Sequence, residues 1–342
     1  MAVNSLDGDA VATLPDLDAR CHRVPPARAV PDLLNDVRAG LLASPRELPP
    51  KYFYDERGSI LFDRICDSRE YYPMRTESAL LERHAADIVA AMRPRAILEL
   101  GSGTSRKTRH LLDACDRLGC HARYVPFDVC REIVVDSGRT LLEHYDWLDI
   151  APLVGDYMAG LDHLPEQESP TLFVFLGGTI GNFTPEEAGR FLADVRALMR
   201  PADRLLIGAD RIKDPALLHA AYNDAGGITA DFNLNVLRVL NRDLGAEFDV
   251  EGFAHYACFN PGRSRIEMYL VAMQDQQVRV PALDCDLSFA EGDEILTEIS
   301  RKFTRRSLEG LLADGGFSVD THFQADDGWF SLVLARPGDA PA

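Results

Sequence analysis

Residues 95–104 read RAILELGSGT, a short apolar run that passes directly into a loop with two glycines. Four further runs of this kind follow, at residues 123–127 (RYVPF), 153–154 (LV), 171–176 (TLFVFL) and 204–209 (RLLIGA). Short, continuously apolar strands that alternate with helices are typical of a parallel sheet whose two faces are both covered. The stretch that begins at residue 95 therefore predicts an α/β fold with a doubly wound sheet.

Glycine or aspartate follows each of these runs. The residues in question are Gly101, Asp128, the pair Gly155-Asp156, the pair Gly177-Gly178, and Asp210. The carboxyl ends of parallel strands meet at one edge of a sheet, and open sheets of this class bind ligands there, where the strand order reverses. The pattern therefore predicts a binding site at this edge.

The pattern changes after Asp210. Residues 214–260 read as helices, and residues 265–273 predict a long strand with which 278–280 and 287–289 are expected to pair. A helix at 307–313 and strands at 317–323 and 329–335 predict an antiparallel edge on the first sheet. We therefore expect a disordered tail at 1–25, a smaller α+β substrate-binding domain from 26–76 plus 212–302, and a sheet domain from 77–211 plus 303–342.

Composition and charge narrow the functional classes. The 342 residues include 36 Lys+Arg and 54 Asp+Glu, a formal net charge of −18. Phosphate backbones and anionic lipids repel a surface this acidic. We therefore expect no nucleic-acid or membrane partner.

The seven cysteines are scattered without any CxxC, and residues 1–20 lack the pattern of a signal peptide. We expect reduced thiols, no metal site and a cytoplasmic protein.

The loop after the first run has the glycines that a nucleotide-type cofactor requires. Dinucleotide sites add a third glycine, but here Gly101 and Gly103 are followed by Ser105, Arg106 and Lys107. The loop therefore suits S-adenosylmethionine (SAM) better than NAD.

Acidic residues at the next two strand ends extend this prediction. Asp128 has the position of an acid that accepts hydrogen bonds from the two ribose hydroxyls. Asp156 could accept one from the adenine amino group, with Tyr157 packed beside the base. The alternative is that both aspartates only cap helices. Lys107, taken alone, reads as a solvated helix residue.

Several longer motifs resemble the L-histidine Nα-methyltransferases of ergothioneine biosynthesis. The motifs are YFYDERGS (52–59), EYYPMRT (70–76), ELGSGTSRKT (99–108), FD (127–128), FLGGTIGN (175–182), IEM (266–268) and LTEISRKF (296–303). The resemblance runs from about residue 30 to the C-terminus. It implies a Rossmann-like SAM-dependent enzyme that methylates the α-amine of L-histidine three times, giving hercynine.

The resemblance also implies a set of site residues. The positions that match the cofactor site are Gly101, Lys107, Asp128, Asp156 and Tyr157. Those that match the site for the amino acid are Tyr71, Gly177, Asn182 and Tyr222 around its polar end, and Met268, Glu298 and Ser300 around the imidazole. With no acid–base or covalent catalyst implied, we expect catalysis by positioning through Asn182, Tyr54 and Tyr222, in a monomer without a metal.

Taken alone, these residues also permit plainer interpretations. Glu298 and Lys302 have the spacing of an ion pair on a helix surface, and Asn182 could satisfy its own loop backbone. Met268 and any single tyrosine are more often core residues. Two alternative functions stay open as well, namely the same fold with another amino acid or amine as acceptor, and a non-enzymatic module that keeps a nucleoside pocket.

Overall fold

The computed structural model describes residues 16–338. Within this range the ten α-helices are α1 (Leu17–Arg20), α2 (Leu33–Leu41), α3 (Glu56–Asp67), α4 (Tyr72–Met92), α5 (Arg109–Arg117), α6 (Arg131–Leu142), α7 (Pro185–Leu198), α8 (Pro215–Tyr222), α9 (Ile228–Leu244) and α10 (Arg305–Asp314). The first seven β-strands there are β1 (His22–Arg23), β2 (Arg46–Glu47), β3 (Ala96–Leu100), β4 (Arg123–Asp128), β5 (Leu153–Val154), β6 (Thr171–Phe175) and β7 (Arg204–Asp210). The remaining seven are β8 (Phe253–Asn260), β9 (Arg265–Ala272), β10 (Gln276–Val280), β11 (Cys285–Phe289), β12 (Glu294–Arg301), β13 (Phe317–Gln324) and β14 (Phe330–Pro337).

Eight strands form the main sheet, in the order β1-β5-β4-β3-β6-β7-β14-β13. The strands from β1 to β7 in this order are parallel, and β14 and β13 add the antiparallel edge. The chain order reverses between β3 and β6, which places a crevice at their carboxyl ends. The predicted doubly wound α/β class and its antiparallel edge are both confirmed. Buried side chains fill both faces of the sheet, against α4 and α5 on one and α7 and α10 on the other.

A second sheet has the order β2-β12-β9-β8 and packs on its own apolar core, which includes Phe53, Phe232 and Val236. β10 and β11 pair only with each other, so the expectation that they extend β9 was wrong. Both edges of β9 are occupied, by β8 and by β12. β8 itself lies in a region that the sequence assigned to helices, because its alternation of buried and exposed residues is weak and its pairing with β9 is long-range.

The N-terminal region differs from the predicted disordered tail. From residue 16 onward it forms α1 and β1, and Leu17 is buried beneath α6. The Val24 N–H donates to the Val154 carbonyl at 2.8 Å, which continues the pairing of β1 with β5. A two-residue strand carries no periodicity, so only its long-range partner reveals it. Residues 1–15, the rest of the predicted tail, lie outside the described residues.

A glycine joins the two sheets at close range. The turn Thr179–Asn182 follows β6 and packs against the backbone of β12. A Cβ atom at Gly181 would lie 2.7 Å from the carbonyl oxygen of Arg301 and 3.1 Å from its nitrogen. Because backbone atoms cannot move aside as a flexible side chain can, only glycine permits this approach.

Gly181→Ala is therefore expected to destabilise the protein by about 1–3 kcal/mol, because a methyl group must push β12 away from the turn. The free energy of unfolding in urea measures the effect. Gly189→Ala is the matched control, since Gly189 lies inside α7 with nothing within 4 Å of an added Cβ. The control is expected to be neutral or to gain up to about 1 kcal/mol, as helical Gly→Ala changes do. Equal stability of the two variants would contradict the packing argument.

Candidate active site

The loop after β3 is tied to the end of β4. The Gly101 N–H donates to the Phe127 carbonyl at 2.8 Å, and the Gly103 N–H donates to Asp128 Oδ2 at 2.9 Å. Gly101 and Gly103 have φ values of +72° and +49°, a region that favours glycine. A Cβ atom at Gly101 would lie 3.4 Å from the ring of Tyr157. The loop therefore leaves backbone, rather than side chains, facing the crevice next to Tyr157.

The two strand-end aspartates have different surroundings. Asp128 accepts N–H groups from Gly103 and Cys130, and its burial raises the pKa of its carboxyl group. Asp156 Oδ1 accepts the Met158 N–H at 2.8 Å and so caps the short 3₁₀ turn Tyr157–Ala159. The capping interpretation thus fits one oxygen of Asp156, whereas Asp128 contacts the glycine loop and is not the N-cap of α6.

Lys107 lies in a turn before α5, and its ammonium pairs with the fully buried Glu77 of α4. The interpretation of Lys107 as a solvated helix residue was wrong. The Glu77 carboxylate also accepts the Gly177 N–H, at 2.8 Å. Gly177, predicted to contact the substrate, therefore uses its N–H within the protein. This arrangement fixes the ends of β6 and of the cofactor loop relative to each other.

The strand-end residues fit an adenosyl cofactor. Gly101 leaves space beside Tyr157, and the Tyr157 ring lies in a group of aromatic rings, with centroids 5.6 Å from Phe175 and 5.8 Å from Phe191. The buried Ser102 hydroxyl in the same loop has no hydrogen-bond partner among the described residues. It is one of seven such atoms in the described range, and it is the one that lies in the glycine loop, where its hydroxyl is free to bond a ligand. Sequence reasoning missed Ser102, although it stands between the two glycines.

Glu298 and Ser300 lie on one face of the second sheet. Glu298 of β12 is directly opposite Met268 of β9, and a bulge at Thr297 resets the register just before it. Residues two apart on a strand share a face, so Glu298 and Ser300 point the same way. The alternative of a helical Glu298–Lys302 ion pair is excluded, because β12 is a strand and Lys302 pairs with Asp210 at 2.8 Å.

Glu298 is only 9% exposed, yet no hydrogen bond from residues 16–338 reaches its carboxylate. Burial raises its pKa to about 7, and Lys302 opposes that rise. The carboxylate contributes in turn to the raised pKa values of Tyr54, Tyr71 and Tyr222, which places all three near it. A buried acceptor without a donor is costly unless a ligand supplies one.

The tyrosines connect the two halves of the crevice. Tyr54 packs against Phe62 and Phe232 with ring centroids 5.7 Å away in each case, and Tyr71 meets Tyr222 edge-on at 6.2 Å. The pKa of Tyr54 is raised first by burial and then by Glu298, Tyr157 and Asp128. The groups that raise the pKa of Tyr54 thus belong to both the predicted cofactor residues and the predicted substrate residues.

Asn182 is half-buried at the end of the turn that packs on β12. Its side chain forms no hydrogen bond within the part of the chain that the structure describes. The interpretation of Asn182 as a residue that satisfies its own loop is therefore not supported. The turn that carries Asn182 packs against β12, the strand of Glu298 and Ser300.

Sequence reasoning missed a polar cluster beneath the site. Lys302 donates to Asp210, to Tyr222 and to Ser300, and Asp210 also accepts from Tyr72 at 2.6 Å. Two signals were present, since Asp210 ends the fifth apolar run and Lys302 lies in the motif LTEISRKF. Neither signal gives the partner.

Other chemistries have less support in the described residues. His322 lies 2.9 Å from Glu309 and 2.8 Å from Ser331 Oγ, a spacing like that of a hydrolase triad, but Ser331 is 0% exposed. A nucleophile that solvent cannot reach cannot meet a substrate.

Residues 16–338 contain no group of three or more His, Cys, Asp or Glu placed to hold a metal ion. The seven cysteines all lie in this range and are free, and no helix there is long and apolar enough to cross a membrane.

Comparison with known proteins agrees with this geometry. The family described as "Histidine-specific methyltransferase, SAM-dependent" matches residues 33–337. The chain belongs to this family.

Two relatives that match this chain over most of its length come from mycobacteria. A histidine N-alpha-methyltransferase of Mycolicibacterium smegmatis is 46% identical over 89% of this chain and 94% of that protein. One from Mycobacterium tuberculosis is 45% identical with the same coverage. Ergothioneine biosynthesis protein 1 of Neurospora crassa is 36% identical over 66% of this chain and 28% of its own length.

Because the pKa of Glu298 is raised, the free energy of unfolding of this methyltransferase is expected to depend on pH. A carboxyl group with a pKa of about 7 when folded and 4.5 when unfolded binds its proton more tightly in the folded state. Stability is therefore lost as the pH rises through this window. Glu298→Gln removes the effect, so the variant is expected to exceed the wild type by about 2–3 kcal/mol at about pH 8 and by little below about pH 4.5. Denaturant titrations across this range measure the difference.

Glu267→Gln is the control, because this substitution is expected to change stability in the opposite direction. Glu267 lies on the neighbouring strand β9, and although burial alone would raise its pKa, Arg265, Tyr269 and Asn260 lower it. Its contribution is present above its unfolded pKa and lost as the pH falls, so this variant is expected to be less stable than the wild type at neutral pH. A Glu298→Gln variant that is also less stable there would contradict the assignment of an unpaired, buried carboxylate.

Proposed function

We propose that this protein transfers methyl groups from SAM to the α-amine of L-histidine, three times in succession, to form hercynine in the first step of ergothioneine biosynthesis. The observation that carries the proposal is the buried Glu298 carboxylate, which has no hydrogen-bond donor among the described residues and shares a face of β12 with Ser300. SAM supplies a methyl group on a sulfonium, which is already electrophilic. The chain therefore needs to bind, align and desolvate the acceptor.

Alignment supplies most of the rate in this proposal. Holding reacting groups in line is worth about 7–11 kcal/mol in favourable intramolecular cases. The amine must also be unprotonated to react, and a buried pocket disfavours its ammonium form. No acid–base or covalent catalyst is assigned, since Tyr54, Tyr71 and Tyr222 all have raised pKa values and stay neutral hydroxyls.

Repeated methylation limits how the amine is held. Each transfer removes an N–H donor, so few contacts can depend on those donors. The Asn182 amide offers both an acceptor and two donors, which allows it to hold the amine and the carboxylate together. Tyr71 and Tyr222 lie edge-on at 6.2 Å, and ring faces near a quaternary ammonium contribute about 0.5–2 kcal/mol as the product gains permanent charge.

The imidazole end provides selectivity. Glu298 accepts an N–H from the ring, Ser300 contacts the other nitrogen, and Met268 packs opposite Glu298. A site built to pair with such polar groups rejects an analogue that lacks them by several orders of magnitude, because the buried groups are then left unpaired. This argues against another aromatic amino acid as the acceptor, which is the alternative with the same fold and cofactor.

Further parts of the proposal concern the assembly of the enzyme. We propose that Gly101, Lys107, Asp128, Asp156 and Tyr157 bind SAM, with Lys107 acting through its pair with Glu77. Residues 26–76 and 212–302 form the substrate-binding domain. The enzyme acts as a cytoplasmic monomer without a metal. Gel filtration and activity in the presence of a chelator test these last points.

Incubation of the protein with L-histidine and SAM is expected to give products heavier by one, two and three methyl groups, read by mass spectrometry. Phenylalanine and tryptophan are expected to give none at the same concentration, because neither offers the N–H and lone pair of the imidazole ring. Equal or faster methylation of another amino acid would support the alternative acceptor. Binding of SAM without any methyl transfer would support a non-enzymatic module.

Asp128→Ala is expected to weaken SAM binding by about tenfold or more, because a charged acceptor is lost and the Gly103 N–H loses its partner. Isothermal titration calorimetry with SAM measures the affinity. Asp136→Ala is the matched control, since Asp136 lies on the solvent side of α6 and pairs only with Arg139 at the surface. If both variants bind SAM as the wild type does, the cofactor site is wrongly placed.

A further inference from the structure

Lys302 has all three of its protons engaged. The buried ammonium donates to Asp210 Oδ2 at 2.8 Å, to Tyr222 Oη at 2.9 Å and to Ser300 Oγ at 2.9 Å. A lysine ammonium is a donor only, with three protons and no acceptor. Lys302 therefore contacts the crevice through Tyr222 and Ser300 and not directly.

Ser300 has no acceptor capacity left. Its Oγ accepts from Lys302 and also from the Tyr222 hydroxyl, at 2.9 Å. A hydroxyl oxygen has two lone pairs and one proton. With both lone pairs occupied from below, Ser300 can offer only its proton to whatever lies above it.

Resting on the proposed function, we propose that Lys302 is a specificity-determining positioning residue that turns Ser300 into an obligate donor, so that the site accepts only the neutral imidazole ring. Glu298 is the acceptor for one ring nitrogen and Ser300 the donor to the other. A neutral imidazole has one N–H and one lone pair, which match this pair in a single tautomer. An imidazolium has two N–H groups, and the second would meet the Ser300 proton.

The surroundings of Lys302 keep it charged and fixed. It is only 3% exposed, and although burial alone lowers the pKa of its ammonium, Asp210 and Tyr222 raise it above its usual value. Asp210 also binds Lys213 and Tyr72, so the carboxylate has other partners when Lys302 is replaced. The groups that face Glu298 are Lys302, which directly follows its strand, and the neutral hydroxyls of Tyr54, Tyr71 and Tyr222.

Two substrates whose rings differ in basicity separate the effect of ring charge from other effects of pH. β-(1,2,4-Triazol-3-yl)alanine has the N–H and lone pair of histidine, but its ring is far less basic and stays neutral between about pH 8 and pH 5.5, where histidine titrates. The ratio of kcat/KM for histidine to kcat/KM for the triazole cancels every titration of the enzyme, that of Glu298 included. In the wild type this ratio is expected to fall about tenfold per pH unit below about pH 6.5, where imidazolium forms.

Lys302→Met frees one lone pair of Ser300, which then accepts an N–H as readily as it donates one. The variant is expected to lose roughly 10- to 100-fold in kcat/KM for histidine and to show a much flatter ratio below about pH 6.5. A merely structural role would lower both rates together and leave the fall of the ratio as steep as in the wild type. That steep profile, or a flat ratio in the wild type itself, overturns the proposal.

Two further variants keep the test decisive if Lys302→Met does not fold. Tyr222→Phe removes the other donor to Ser300 while Lys302 and Asp210 stay paired, and it is expected to flatten the ratio in the same way. Lys213→Met removes a charge from the same cluster, but Lys213 does not contact Ser300. The kcat/KM ratio of this variant is therefore expected to match that of the wild type.

Unchanged SAM affinity by calorimetry shows that a variant is folded. Failure of the wild type to methylate histidine at all would instead refute the proposed function.

Discussion

A buried ion pair joins the two sheets of this enzyme. Asp210 ends β7 of the main sheet, and Lys302 follows β12 of the second sheet, with 2.8 Å between the carboxylate oxygen and the ammonium nitrogen. The Phe303 N–H also donates to the Asp210 carbonyl, at 2.9 Å. Removing two charges from water costs several kcal/mol per ion, and further hydrogen bonds must offset that cost. Tyr72, Lys213, Tyr222 and Ser300 supply them, and so the same pair that joins the sheets also orients the site.

The crevice between the sheets has two chemically different halves. On the main sheet, backbone and carboxylates dominate, with the Gly101 loop, Asp128 and Tyr157 at neighbouring strand ends. On the second sheet, Glu298 and Ser300 rise from one face of β12. Tyr54 is partly buried, with its ring packed against Phe62 and Phe232. In the proposed reaction a donor and an acceptor molecule meet between these two halves, and the protein supplies no reactive group of its own.

Several polar groups around the crevice have no hydrogen-bond partner among the described residues, whereas two buried ion pairs beneath it are satisfied. The buried pairs Lys107–Glu77 and Lys302–Asp210 are satisfied within the protein. Glu298, Asn182 and the Ser102 hydroxyl are not, and all three lie around the crevice. Because unpaired buried groups lower stability, a protein retains them where a ligand completes the hydrogen bonds. The Ser331–His322–Glu309 cluster is the converse case, since its groups satisfy one another and its Ser331 hydroxyl is fully buried.

The sequence by itself determined the doubly wound sheet, the antiparallel closing strands and the edge at which Gly101, Asp128 and Asp156 gather. These features follow from apolar runs and from the residues that end them, which are local properties of the chain. The motifs also located Glu298 and Ser300, although not the strand that places them on one face. Only the tertiary structure decided that Lys107 reaches Glu77, that β1 completes the sheet and that Lys302 lies beneath Ser300. These are contacts between residues distant in sequence, and neither spacing nor periodicity records which distant groups a fold brings together.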